Sequence, residues 1–160
     1  MVLKSPLLIG IGTRIRKSPY FDSTIKYGVK GFTIYNKMYL PTGFSSPVEE
    51  YLSLINDVTF GDFAAERQVE VSGPDAFDFI KYINPRNLSK CDIGDCKYIV
   101  LTDSNGCIIN DACLIRLEDD KFWVSPGDGD ILLWLQGVAM HSGMNVNICE
   151  PDVSPLQISG

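Results

Sequence analysis

The chain has 160 residues, of which 45% are apolar and 21% charged, a balance that suits one ordinary domain with a hydrophobic core and excludes a disordered polymer. Its 14 Lys and Arg against 20 Asp and Glu give a net charge of −6, leaving no basic surface to displace counterions from a nucleic acid; the short run Arg14-Ile15-Arg16-Lys17 reads as a solvated segment. No run approaches the roughly 20 apolar residues of a membrane span, and Pro6-Leu7-Leu8-Ile9-Gly10-Ile11 is too short for a signal core and lacks a small-residue cleavage site.

Residues 1–31, rich in Gly, Ser, Pro and Lys, read as an irregular lead-in. Phe32-Thr33-Ile34-Tyr35-Asn36-Lys37-Met38-Tyr39-Leu40, with its β-branched and aromatic residues and the stop at Pro41, predicts one strand. A helix follows. Ser46 suits its N-cap, Pro47 its first position and Glu49 the return half of a capping box, while Tyr51, Leu52, Leu54 and Ile55 supply an apolar face.

Gln68-Val69-Glu70-Val71-Ser72 alternates with period two and predicts a half-buried strand ended by Gly73. Pro74 and Asp75 open a helix that turns Phe77, Ile80 and Tyr82 or Ile83 towards a core and breaks at Asn84-Pro85. Tyr98–Thr102 and Cys107–Leu117 read as a hairpin around Asp103-Ser104-Asn105-Gly106, where Asn-Gly supplies the positive φ that a tight turn needs. Phe122–Ser125 is a third strand. Asp130 starts a helix through Leu132, Leu133, Leu135, Val138 and Ala139 that ends at His141-Ser142-Gly143; Asn145–Ile148 and Leu156–Ile158 read as further strands.

The order from Gln68 to Ile148 is β-α-β-β-β-α-β. It predicts an α+β class, a ferredoxin-like unit with one extra strand. The expected organisation is a lead-in strand and helix over residues 1–60, the ferredoxin-like unit over 61–150 and a segment that starts at 151–160 and is cut short at Gly160.

Five cysteines, Cys91, Cys96, Cys107, Cys113 and Cys149, without a CxxC pair, and the single His141 give no metal-binding pattern; they read as reduced thiols of a cytoplasmic protein. Gly10-Ile11-Gly12 is too little for a dinucleotide fingerprint. Three places could carry chemistry. Asp111 interrupts an apolar strand, so it is either a solvent-facing carboxylate or one held at a site. Tyr98 heads the paired strand and is either a half-buried edge residue or the partner of a group across the hairpin. Glu66-Arg67 is either a surface pair of little energetic consequence or an element that orients a ligand.

Asp62-Phe63-Ala64-Ala65-Glu66-Arg67-Gln68-Val69-Glu70-Val71-Ser72-Gly73-Pro74-Asp75-Ala76 resembles the segment that enters the folate-binding fold of the glycine-cleavage T-protein (aminomethyltransferase) family. Where the T-protein usually carries Ser-His-Met, this chain has Ala65-Glu66-Arg67-Gln68, which resembles the dimethylsulfoniopropionate demethylase branch. Arg14 to Phe21, Tyr35-Asn36-Lys37-Met38 and Asn87-Leu88-Ser89-Lys90 with Ile93-Gly94 are similar to that branch too. The family's Gly-x-x-x-Asp-Asp hairpin stands here as Gly106-Cys107-Ile108-Ile109-Asn110-Asp111, with Asn for the first Asp, and Tyr98 lies thirteen residues upstream of Asp111, where the family has its folate-site tyrosine. Val124-Ser125-Pro126 replaces the T-protein's Val-Ser-Asn, so Ser125 or a backbone group must take over from the missing amide.

The resemblance implies tetrahydrofolate as cofactor and methyl transfer to its N5 from a small-molecule sulfonium donor, with Asp111 as the catalytic residue. It implies Tyr98, Asp111, Val124 and Ser125 as folate-binding residues, Glu66, Tyr35 and Trp123 as substrate-binding residues, and no metal. It leaves open a homodimer, an aminomethyltransferase of the glycine cleavage system with a lipoyl carrier protein as partner, and a non-catalytic folate-binding protein. The family's chains are more than twice as long, so the later site residues fall beyond Gly160.

Overall fold

The computed structural model describes residues 12–160; the Pro6–Ile11 run and the first part of the expected irregular lead-in lie outside the described residues. In chain order the elements are α1 (Phe21–Lys26), β1 (Gly31–Tyr35), β2 (Met38–Gly43), α2 (Pro47–Asn56), β3 (Thr59–Asp62), β4 (Val69–Ser72), α3 (Ala76–Ile83), β5 (Cys96–Thr102), β6 (Ile108–Glu118), β7 (Lys121–Pro126), α4 (Ile131–Ser142), β8 (Asn147–Cys149) and β9 (Leu156–Ser159). They form two compact units, one running through Ala65 and regaining the chain at Ser154–Gly160, the other spanning Glu66–Val153.

In the second unit the period-two patterns become one five-stranded sheet of order β5-β6-β7-β4-β8 with every neighbouring pair antiparallel. The α+β class and the β-α-β-β-β-α-β order are those expected from the sequence. The added strand changes one relation. β7 and β8 both run antiparallel to β4, so β7-α4-β8 is a parallel crossover with β4 between its strands, whereas α3 joins the antiparallel strands β4 and β5.

Side chains alternate across this sheet. Val69, Val71, Ile99, Leu101, Ala112, Leu114, Phe122, Val124 and Ile148 are buried in a core with Ala76, Phe79, Ile80 and Ile83 of α3 and Ile131 and Leu135 of α4. Phe79 takes the central place on α3, Phe77 packs beside it against Phe122 with ring centroids 6.0 Å apart, and Tyr82 is exposed. Gly143, at φ 71°, is the left-handed C-cap that ends α4, as its position after His141-Ser142 suggests. The alternate residues of the strands, among them Tyr98, Asp111, Cys113, Trp123 and Ser125, stand on the opposite face.

The first unit departs from the sequence reading in three places. Residues 32–40 are a hairpin, β1 and β2, rather than one strand: Asn36 and Lys37 take φ of 46° and 60°, the pair of left-handed residues of a tight hairpin turn. Asn36 is buried and donates from Nδ2 to the Ala65 carbonyl at 3.1 Å, which fixes the turn. The lead-in contains the short helix α1, whose Phe21 stacks on Phe32 at 4.8 Å and sits 5.6 Å from Tyr39. β3 pairs with β9, a strand that Thr59-Phe60-Gly61-Asp62 does not announce.

The capping box of α2 forms as its sequence dictates: Glu49 N–H donates to Ser46 Oγ at 3.2 Å and Ser46 N–H to Glu49 Oε2 at 3.0 Å. Its apolar side chains Tyr51, Leu52, Leu54 and Ile55 are nevertheless exposed; Tyr51 and Leu54 line a groove of about 570 Å³ whose walls include Leu40, Phe44, Phe60 and Phe63.

Candidate functional site

The β5–β6 hairpin sets the register of the site. Asp103 Oδ1 accepts from the N–H groups of Asn105 at 2.8 Å and Cys107 at 2.9 Å, and Gly106 supplies φ 79°. The strands that leave this turn place Tyr98 opposite Cys113 and Val100 opposite Asp111. Tyr98 and Asp111 are therefore diagonal neighbours on one face, within reach of a long side chain. Tyr98 Oη donates to Asp111 Oδ2 at 2.6 Å, a length typical of a hydroxyl bound to a carboxylate. That bond first, then desolvation and the Asp111 charge, holds the phenol above its ordinary pKa. Both residues are exposed, Tyr98 to 54%, so the pair can meet a ligand.

The loop after β7 backs the carboxylate. Gly127 N–H donates to the Asp111 carbonyl at 2.9 Å and to Asn110 Oδ1 at 3.0 Å. A Cβ at Gly127 would stand 3.1 Å from Asp111 Oδ1, so glycine leaves that oxygen its room. Asn110 is buried and donates from Nδ2 to the Asp128 carbonyl at 3.0 Å. The amide at this position thus both accepts and donates, which an ionised Asp could not do.

Ser125 and Trp123 lie on β7, on the same face. Trp123 Nε1 donates to Glu70 Oε2 at 3.0 Å. Gln68 is 5% exposed and donates from Nε2 to Ser125 Oγ at 2.8 Å and to the Glu66 carbonyl at 2.9 Å, while its own Oε1 is buried with no hydrogen-bond partner among the described residues. The Glu66 carbonyl fixes this amide's orientation, since a flip would bring two oxygens together. Ser125 Oγ accepts from Gln68, which leaves the hydroxyl proton to be donated elsewhere. Nothing in the sequence except the position of Gln68 beside the alternating strand could have revealed this link.

Val124 does not belong with them. It is fully buried in the core, because strand alternation turns it away from the face of Ser125. Its side chain faces the core, so a part for Val124 in folate binding would fall to its backbone. Glu66 and Arg67 are not a pair either. Arg67 makes a bidentate ion pair with Glu150, from Nε to Oε1 at 3.1 Å and from Nη2 to Oε2, and that bond first raises the guanidinium further. Glu66 is half-buried, burial alone pushes its carboxyl up, and its charge acts on Cys113 of the site face. Tyr35 belongs to the other unit, at the end of β1, half-buried against Met38, Ala64 and Ala65.

Two cysteines unremarkable in the sequence also meet on this face. Cys96 stands opposite Ile115 and Cys113 opposite Tyr98, so they are diagonal neighbours in the same sense as Tyr98 and Asp111. Among the described residues no group of three His, Cys, Asp or Glu could hold a metal ion, and no helix is long and apolar enough to cross a membrane.

The GCVT N-terminal domain family matches residues 20–160. The chain belongs to that family. Dimethylsulfoniopropionate demethylase DmdA of Ruegeria pomeroyi is 40% identical over 147 residues, covering 92% of this chain and 40% of that protein. An aminomethyltransferase of Porphyromonas gingivalis is 26% identical over 119 residues, covering 73% of this chain and 32% of the relative. The glycine cleavage system aminomethyltransferase T of Bartonella henselae superposes with a TM-score of 0.79 at 22% identity, over 91% of this chain and 41% of that structure, a likeness of fold. The chain therefore spans about two fifths or less of the length of these family relatives.

Proposed function

We propose that this chain carries the folate-binding face of a tetrahydrofolate-dependent enzyme that moves a methyl group from a small sulfonium donor to N5 of tetrahydrofolate. The carrying observation is the Tyr98–Asp111 hydrogen bond on an exposed sheet face, in a chain that is 40% identical to a dimethylsulfoniopropionate demethylase. An aminomethyl transfer to the same cofactor is the second reading, favoured by the aminomethyltransferase relatives at lower identity.

The residues of the face suit a reduced pterin, a bicycle with a planar pyrimidine half, several N–H donors and one ring carbonyl. Asp111 offers carboxylate acceptors, Ser125 a hydroxyl whose proton is free to donate because Gln68 occupies its oxygen, and Tyr98 and Trp123 offer aromatic surface. When bound, tetrahydrofolate supplies a nucleophilic nitrogen that accepts the methyl group. Asp111 orients the ring by accepting its N–H groups, and Tyr98 keeps that carboxylate aimed. A sulfonium leaves as a neutral sulfide and needs no proton, and the one proton released on methylation passes to solvent, so the side chains act chiefly by alignment. Glu66 is a half-buried carboxylate with no counter-charge among the described residues; a sulfonium cation beside it, with Trp123 for an aromatic wall, relieves the burial of that charge.

Calorimetric titration of the chain with tetrahydrofolate tests the binding claim, and 5-methyltetrahydrofolate formed from dimethylsulfoniopropionate, read by mass spectrometry, tests the transfer. We expect Asp111→Asn to weaken folate binding at least tenfold while the fold persists by circular dichroism. Equal affinity in the variant would remove Asp111 from the site. Methylene rather than methyl product, formed with an aminomethyl-lipoyl carrier, would favour the second reading.

A further inference from the structure

We propose that Cys96 and Cys113 form a dithiol modification site that reacts with low-molecular-weight disulfides and closes to a reversible internal disulfide. The proposal does not depend on the folate reading. Both thiols are free and exposed, on adjacent strands β5 and β6 and on the same face of the sheet. Their diagonal offset is the one that Tyr98 spans to reach Asp111. Burial first, and then the neighbouring Cys96 thiol, push the Cys113 thiol above its ordinary pKa.

The other cysteines lack such a partner by position. Cys91 is buried, Cys107 lies at the exposed hairpin turn, and Cys149 is on β8, three strands from β6. Strands are about 4.8 Å apart, so Cys149 is beyond any direct bond to Cys113.

The reaction balances with the oxidant named. One protein thiolate attacks a sulfur of the small disulfide, forms a mixed disulfide and expels one small thiolate. The second protein thiolate then attacks the protein-bound sulfur, forms the Cys96–Cys113 bond and expels the second small thiolate. Two protein thiols are oxidised, one small disulfide is reduced to two thiols, and two protons pass to solvent or to those thiolates. The thiolate is the nucleophile, so the rate rises with pH. Diagonal Cα atoms sit at about 7–8 Å, beyond the roughly 4.4–6.8 Å of an unstrained disulfide, so closure requires a local backbone shift at Cys96 and Cys113 and small thiols reopen it readily.

Oxidised glutathione is the probe, with intact-mass measurement and peptide mapping of the full chain. We expect a Cys96–Cys113 crosslinked peptide two hydrogens lighter than its reduced parts, while Cys107 in the same sample keeps a glutathione adduct. Excess dithiothreitol should restore both thiols. Cys113→Ser should convert the product to a stable glutathione adduct on Cys96. Stable separate adducts on Cys96 and Cys113 of the unmodified sequence would overturn the proposal, as would reaction at Cys107 with both site thiols left free.

Discussion

Tyr98 and Asp111 are joined by a 2.6 Å hydrogen bond across the diagonal of the β5–β6 ladder, with the phenol as donor and the carboxylate as acceptor. The bond belongs to the protonated phenol, so it lifts the phenol's pKa in the folded chain. The interaction is fully present below the ordinary tyrosine pKa and is lost as pH rises through the raised folded value. Asp111→Asn removes the anionic acceptor and should bring the phenol back towards its usual range. Ultraviolet titration, with Tyr98→Phe subtracted to isolate this one tyrosine, measures it. A titration that does not move on Asp111→Asn would mean that the contact exerts no electrostatic hold in solution.

Asn110 ties β6 to the loop behind that carboxylate through both halves of its amide. Asn110→Asp keeps the acceptor for Gly127 but deprives the Asp128 carbonyl of its donor, and sets a buried charge beside Asp111. The cost should be about 1–3 kcal/mol at neutral pH, the usual penalty for a buried polar group left unpaired. It should shrink as pH falls through the carboxylate range and the new side chain regains a proton to donate. Urea denaturation at neutral and acid pH provides both numbers; equal stability at neutral pH would show that the loop needs no donor there.

The hairpin that presents Tyr98 and Asp111 is legible in the sequence because its signals are local: Asn105-Gly106 dictates the turn, and the period of two dictates the strands. The α2 cap is legible for the same reason in Ser46 and Glu49. What escapes local reading depends on partners far along the chain. Asn36-Lys37 lacks the glycine that marks most tight hairpin turns, and its left-handed backbone is held by the distant Ala65 carbonyl. Arg67 looks paired with its neighbour Glu66, yet its partner Glu150 is 83 residues away. Val124 and Ser125 are adjacent in a motif and opposite in space, a consequence of strand alternation that a motif does not carry.

That alternation makes Val124 a purely structural prediction. Val124→Ala should cost about 2 kcal/mol by opening a cavity between the sheet and its helices. Folate affinity should change by less than twofold once the variant is measured well below its unfolding transition. A tenfold loss in affinity without loss of stability would return Val124 to the ligand-binding residues.

Glu66 gives a prediction with the opposite pH sense to most carboxylates. Burial raises its pKa in the folded state above the unfolded value. The folded chain therefore binds more protons than the unfolded one around and above the ordinary carboxylate range, and stability falls as pH rises through it. Glu66→Gln should stabilise the chain near neutrality by only a few tenths of a kcal/mol, on the order expected for a partly exposed group. The gain should vanish below the ordinary carboxylate pKa, where Glu66 is neutral in both states. If the carboxylate faces a sulfonium, the same variant in the active enzyme should raise KM for the donor several-fold with little change in kcat, because a ground-state contact to the cation is lost. Thermal melts across pH, read beside the KM and kcat split, separate the two consequences. A variant with an unchanged KM and the predicted stability gain would leave Glu66 as a half-buried carboxylate with no part in donor recognition.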